Sequence, residues 1–81
     1  MTKTIHLQYF AVLREQRGLS AETIMTGVKT ARELYAGLQE RYHFQLPQDL
    51  VKVAINNEFK DWDTALNDKD TIVFIPPVAG G

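Results

Sequence analysis

This sequence predicts an α+β domain, a mixed sheet with one main helix packed across a single face. Three observations predict it. Strand-like alternation stands near both ends of the chain, over residues 3–10 and in Thr71-Ile72-Val73-Phe74-Ile75. Between them runs one apolar stripe at helical spacing: Ala31, Leu34, Tyr35, Leu38 and Tyr42. The 81 residues, 44% of them hydrophobic, suffice for one core and leave no room for a second.

The elements follow in order. In residues 3–10, Ile5, Leu7 and Tyr9 fall on one face and Thr4, His6 and Gln8 on the other, a half-buried strand. Ala11 to Arg17 holds good helix formers and stops at Gly18, a suitable C′ residue for a short helix. Residues 20–26 suit a second strand, with weaker alternation. Thr30 and Glu33 form a Thr-x-x-Glu capping box ahead of the main helix over 31–42. Gly37 inside it costs about 1 kcal/mol relative to Ala and is expected to allow close approach to the sheet. His43 to Asp49 reads as a loop.

Val51, Val53 and Ile55 alternate with Lys52, Ala54 and Asn56 as a third strand. Asn56-Asn57 makes a tight turn, because Asn tolerates positive φ, and Glu58-Phe59-Lys60 returns from it. Residues 61–66 are a connector with room for a helical turn, anchored by Trp62 and Leu66. Asn67 to Asp70 is a turn, and residues 71–75 are the last strand. Two strands, a helix and then three strands match the ubiquitin-like β-grasp. The chain divides into a body over 1–75 and an extended tail over 76–81.

Composition removes several function classes. Net charge is -1, with Lys and Arg scattered, so no basic patch points to nucleic acid. No apolar run approaches a membrane span, and Met1-Thr2-Lys3-Thr4 leads into a strand pattern rather than a signal peptide. The expected compartment is the cytoplasm. There is no cysteine, which excludes disulfides, thiolate metal sites and a cysteine nucleophile.

The most informative stretch is Pro76-Pro77-Val78-Ala79-Gly80-Gly81. The prolines cannot donate to a sheet ladder and hold the backbone extended. The glycines have no side chains, so a carboxylate on Gly81 sits on the thinnest thread a polypeptide makes. An enzyme that draws a carboxylate into a deep site needs such a tail; a frayed end is the plain alternative.

Other candidates weigh less. Asp61 and Asp63 begin like a calcium loop, but no glycine or closing Glu follows, and Glu58, Asp61, Asp63, Asp68 and Asp70 read as solvated turn residues. His6 and His43 lack partners at ligand spacing and read as surface residues. Tyr9, Phe10, Tyr35, Tyr42, Phe44, Trp62 and Phe74 are core by default. If Phe74 points inward with Ile72, then Val73 and Ile75 point outward, and with Phe59 they offer an apolar patch beside the tail. The alternative is partial cover by the connector.

Three stretches resemble the small, sulfur-carrying subunits of molybdopterin synthase: Gln8-Tyr9-Phe10-Ala11-Val12-Leu13-Arg14-Glu15, Val53-Ala54-Ile55-Asn56-Asn57, and Leu66 to Gly81 with its Phe-x-Pro-Pro-Val-x-Gly-Gly end. The final motif is specific and the first two support it. Family members often carry a second aromatic before the proline pair, where this chain has Ile75. The resemblance implies a carrier. An ATP-dependent adenylating enzyme attaches AMP to Gly81, and a sulfur donor system converts the acyl-adenylate to a thiocarboxylate. The tail then enters the large synthase subunit, where sulfur passes to cyclic pyranopterin monophosphate. The assembly implied has two small and two large subunits, with the catalytic pocket on the large one. No cofactor is bound by the carrier itself; the ATP belongs to the adenylating partner. Gly80, Ala79, Val78, Pro77 and Pro76 form the insertable tail, and Ile75, Phe59 and Arg14 contribute to docking. A related carrier for thiazole or tRNA thiolation, or a plain ubiquitin-like binding module, are the alternatives.

Overall fold

The structure, a computed structural model, describes residues 2–77, so the tail residues Val78, Ala79, Gly80 and Gly81 lie outside it. The elements are β1 (Lys3–Tyr9), α1 (Ala11–Arg17), β2 (Ala21–Thr26), α2 (Ala31–Tyr42), β3 (Lys52–Ile55), β4 (Glu58–Lys60) and β5 (Thr71–Ile75). They form a five-stranded sheet in the order β2-β1-β5-β3-β4. β1 and β5 pair in parallel, and the remaining pairs are antiparallel. With α2 across one face this is the ubiquitin-like β-grasp.

Alternation decides which face is core. Ile5, Leu7 and Tyr9 are buried, as are Ile72 and Phe74, and they meet Leu34, Tyr35 and Leu38 of α2. An aromatic cluster fills the interior, with Tyr35 edge-on to Phe74 at 5.2 Å and Trp62 stacked on Phe74 at 5.9 Å. Such pairs add about 0.5–1.5 kcal/mol each beyond the area they bury. The connector therefore packs on the core side of the sheet and leaves the outer face uncovered. It forms turns and a single bridge from Ala65 to Thr30, not a helical turn.

Local chemistry sets the boundaries. Gly18 closes α1 at φ 89°, its N–H donating to the Arg14 carbonyl at 2.9 Å. Thr30 caps α2, accepting from the Glu33 N–H at 3.2 Å. The box is half made: the Glu33 carboxylate meets the Thr30 hydroxyl at 3.3 Å instead of the Thr30 N–H. His43 ends α2 in the left-handed region at φ 58°. The loop after it contains a short 3₁₀ turn, Gln48–Leu50. Asn56 and Asn57, at φ 53° and 71°, make the turn from β3 to β4.

Three expectations are corrected. Gly37 is exposed, and nothing lies within 4 Å of where its Cβ would stand, so it serves no close approach. Asp70 is 6% exposed rather than solvated. Its carboxylate accepts from the Asn56 side-chain amide at 2.8 Å and from the Asn67 N–H at 2.7 Å. Phe10 is 47% exposed rather than core. It follows Tyr9, an inward residue, so strand alternation turns it outward.

Candidate functional site

The tail's stem is placed by β5. This strand is central in the sheet and runs parallel to β1, so both leave at the same end. At that end β1 delivers Phe10, the chain turns through Ala11 at φ 52°, and α1 begins. Pro76, buried, and Pro77, exposed, follow Ile75 there. Two surfaces flank the stem.

The first is the outer sheet face. Pairing places Phe59 opposite Ala54, Ala54 opposite Val73, and Val73 opposite Gln8, one row across four strands. Ala54 and Val73, 7% and 8% exposed, form the floor of a shallow depression of about 290 Å³, and Phe10, Phe59 and Ile75 border it. Phe59 is 69% exposed. The outward patch of Val73, Ile75 and Phe59 expected from alternation is present, enlarged by Phe10 and Ala54. The same alternation, carried one residue past Tyr9, places Phe10 on the outer face.

The second is a groove of about 470 Å³ lined by Ala11, Val12, Arg14, Glu15, Leu46, Pro76 and Pro77. Arg14 is exposed and has no acidic partner within 4 Å among the described residues. Its charge stands beside the stem, about one helical turn from Phe10, whose carbonyl accepts from the Arg14 N–H at 3.4 Å. Leu46 is held in place from below: its carbonyl accepts from the Tyr35 hydroxyl at 2.6 Å and from Gln39 Nε2 at 3.2 Å. Burial pushes the Tyr35 phenol up to about 12. Gln16 Oε1 accepts from the Gln45 N–H at 3.1 Å and ties the same loop to α1.

Behind the groove, Glu22 fixes α1 against the sheet. It accepts from Arg17 Nε and Nη2 at 2.8 and 2.7 Å, and from the Tyr9 hydroxyl at 2.7 Å. The Arg17 guanidinium lies 4.1 Å from the centre of the Tyr42 ring. Arg17 holds the Glu22 carboxyl below the usual carboxylate range, against the effect of burial, with the Tyr9 hydroxyl assisting. Burial, and then the Glu22 carboxylate, push the Tyr9 phenol up.

The described body thus sets an apolar face and a groove around the stem. His6 is exposed and meets the Thr23 hydroxyl at 3.0 Å, and His43 serves as a helix cap. Among the described residues no three His, Asp or Glu side chains gather as a metal site would require, and no helix is long and apolar enough to cross a membrane. Parts of all three sequence motifs that carry the resemblance line the outer face or the groove beside the stem. Phe10, Ala11 and Arg14 come from the first, Ala54 and Asn57 from the second, and Val73, Ile75, Pro76 and Pro77 from the third.

Comparison with known proteins bears on the resemblance itself. The molybdopterin synthase sulfur carrier subunit of Escherichia coli is 30% identical over 80 residues, covering 95% of this chain and 99% of that one. A Pyrococcus furiosus protein assigned as subunit 1 of a molybdopterin converting factor superposes with a TM-score of 0.79 at 27% identity, over 94% of this chain and 99% of that one. A Helicobacter pylori chain, solved in a complex of subunits 1 and 2 of molybdopterin-converting factor, gives 0.65 at 28% identity, over 96% and 99%. The ThiS family model matches residues 7–81. Through that match and these likenesses, the chain belongs to the ThiS family of ubiquitin-like β-grasp proteins, close in sequence to molybdopterin synthase sulfur carrier subunits.

Proposed function

We propose that this chain is the sulfur carrier subunit of a molybdopterin synthase. Gly81 carries the chemistry. Its carboxylate attacks ATP in the adenylating enzyme, releasing pyrophosphate and leaving a glycyl adenylate. Sulfur from a donor system displaces AMP and leaves a thiocarboxylate. In the large synthase subunit that sulfur passes to cyclic pyranopterin monophosphate. Two charged carriers supply the two sulfurs of the dithiolene. The ATP is bound by the adenylating partner, the catalytic pocket belongs to the large subunit, and the working assembly is two small and two large subunits in the cytoplasm.

The observation that carries this reading is the position of the stem. Pro76-Pro77 leaves a central strand between an apolar face and a groove bearing Arg14, so a partner gripping the body would receive the tail in a fixed direction. A stiff stem also lowers the entropy lost on insertion. Slim glycines let a pocket close around the backbone, where any Cβ would widen the thread. Two likenesses support the reading: the curated E. coli relative is a sulfur carrier subunit, and the H. pylori chain was solved with subunit 2.

The test is the intact mass of the chain after incubation with the adenylating enzyme, ATP and a sulfur donor. Exchange of one oxygen for sulfur, located at Gly81 and lost when Gly81 is deleted, is the expected result. Conversion of the pterin precursor by the charged protein with the large subunit then fixes the pathway. An unchanged mass with a competent adenylating enzyme would overturn the reading and leave a binding module.

A further inference from the structure

The two edges of the sheet are built differently. β4 is three residues long and carries a Glu58–Lys60 ion pair at 3.2 Å, the charged, short kind of edge that resists pairing. β2 is twice as long and has no Lys, Arg or Pro; its single charge, Glu22, is engaged by Arg17 and Tyr9. The remaining residues are Ala21, Thr23, Ile24, Met25 and Thr26, with Met25 72% exposed. The one inward-pointing charge, Glu22, is already neutralised by Arg17, and no Lys, Arg or Pro on this edge opposes another strand.

Hydrogen-bond parity tells which groups are free. The Tyr9 N–H donates to the Ser20 carbonyl at 2.9 Å, in the register that pairs Leu7 with Glu22 and Ile5 with Ile24. In an antiparallel ladder a residue aims its N–H and its C=O to the same side. Ser20, Glu22, Ile24 and Thr26 therefore face β1, and Ala21, Thr23 and Met25 present their backbone groups to the open edge.

We propose that this edge is a homodimer interface, where β2 pairs antiparallel with β2 of a second copy of this chain about a twofold axis through Thr23. That register sets Thr23 opposite Thr23 and Ala21 opposite Met25 of the second copy. All three outward-facing residues then exchange both of their backbone bonds. Centring on Glu22 or Ile24 leaves one of the three unbonded in each copy, and centring on Glu22 also opposes two carboxylates. A shift by a single residue sets inner-face against outer-face side chains. In the Thr23 register no like charges meet: Glu22 lies opposite Ile24, and the Met25 side chain covers the Ala21 methyl. The two sheets join edge to edge into one. β5 lies two strands in from this edge, so the dimer leaves the stem and its flanking surfaces open. The inference does not depend on the carrier reading.

The absence of cysteine gives a clean test. In the paired register the two Thr23 Cα atoms stand about 5.5 Å apart, within disulfide reach. In a His6→Gln background, which removes the imidazole beside this site, Thr23→Cys is expected to oxidise to a covalent dimer at least about tenfold faster than Glu40→Cys on the exposed side of α2, because pairing raises the effective concentration. In the unaltered chain, amide exchange at Ala21, Thr23 and Met25 should slow as concentration rises towards about 1 mM, the range where weak pairing is populated. Glu22, Ile24 and Thr26 should not change. Thr23→Lys, which gives up only the exposed contact with His6, should abolish the concentration dependence. Equal oxidation rates for the two cysteine variants, or exchange indifferent to concentration, would overturn the proposal. Protection appearing only on addition of a different protein would likewise overturn self-pairing and assign the edge to that protein.

Discussion

Asp70 shows how much one side chain can organise. Both carboxylate oxygens are used, one by Asn56 Nδ2 and the other by the Asn67 N–H. Asn56 in turn accepts from the Thr71 N–H at 2.9 Å and donates its own N–H to the Thr71 carbonyl at 2.8 Å. The turn after β3 is thereby locked to the start of β5, the strand that carries the stem. Asp70→Ala leaves two donors without their acceptor, and the expected loss is about 1–3 kcal/mol. It should appear as a lower urea midpoint with unchanged slope; an unmoved midpoint would mean water replaces the carboxylate without cost. Glu22 makes a second residue-scale prediction. Its folded carboxyl is held low by Arg17, so its contribution to stability is complete above the unfolded value of about 4.3 and is lost as pH falls through the folded one. Glu22→Gln removes that dependence. Stability of the unaltered chain should fall more steeply below about pH 4.3 than that of Glu22→Gln, narrowing the gap between them. Parallel curves would show that the Arg17 pair contributes nothing.

Elements were legible wherever burial follows a simple period. β1, β5 and α2 were read from alternation and stripe because one face of each is core and the other is not. The outward patch of Val73, Ile75 and Phe59 followed from the same parity. What escaped needs tertiary partners. Asp70 is buried because Asn56, fourteen positions away, turns towards it, and no local pattern announces that. The 3₁₀ turn at Gln48–Leu50 has no period to read. Leu46 joins the groove only because Tyr35 and Gln39 hold its carbonyl. The tail residues 78–81, where the sequence was most specific, lie outside the described structure. Gly37 and Gly18 show how context reverses a propensity. Gly37 is helical with open space around it, so Gly37→Ala should stabilise by up to about 1 kcal/mol. Gly18 has equal space but φ +89°, so Gly18→Ala should destabilise by about 1–2 kcal/mol. Thermal melts of the pair should therefore move in opposite directions. A rise in both would mean that the end of α1 rearranges to accept an ordinary backbone.

At the scale of the whole molecule, the parallel pairing of β1 and β5 is what assembles the site. It brings Phe10, the start of α1 and the stem to one end, while α2 occupies the opposite face of the sheet. On the proposed function, the body binds the partner and Gly81 carries the chemistry. Phe10 and Phe59 border the outer depression without supporting the core, so Phe10→Asp with Phe59→Asp should leave the melting temperature within a few degrees. Against an apolar partner surface the same changes bury charge, and the affinity for the large subunit should fall at least tenfold, about 1.4 kcal/mol. The loss should lie in binding alone. Raising the large subunit's concentration should restore the rate of sulfur transfer from a charged double variant, because its tail is unaltered. Titration calorimetry and single-turnover transfer measure the two quantities independently. An unchanged affinity would move the docking surface away from the outer face, to the groove around Arg14. A rate that stays low at saturation would instead show that this face helps set the tail's position in the pocket.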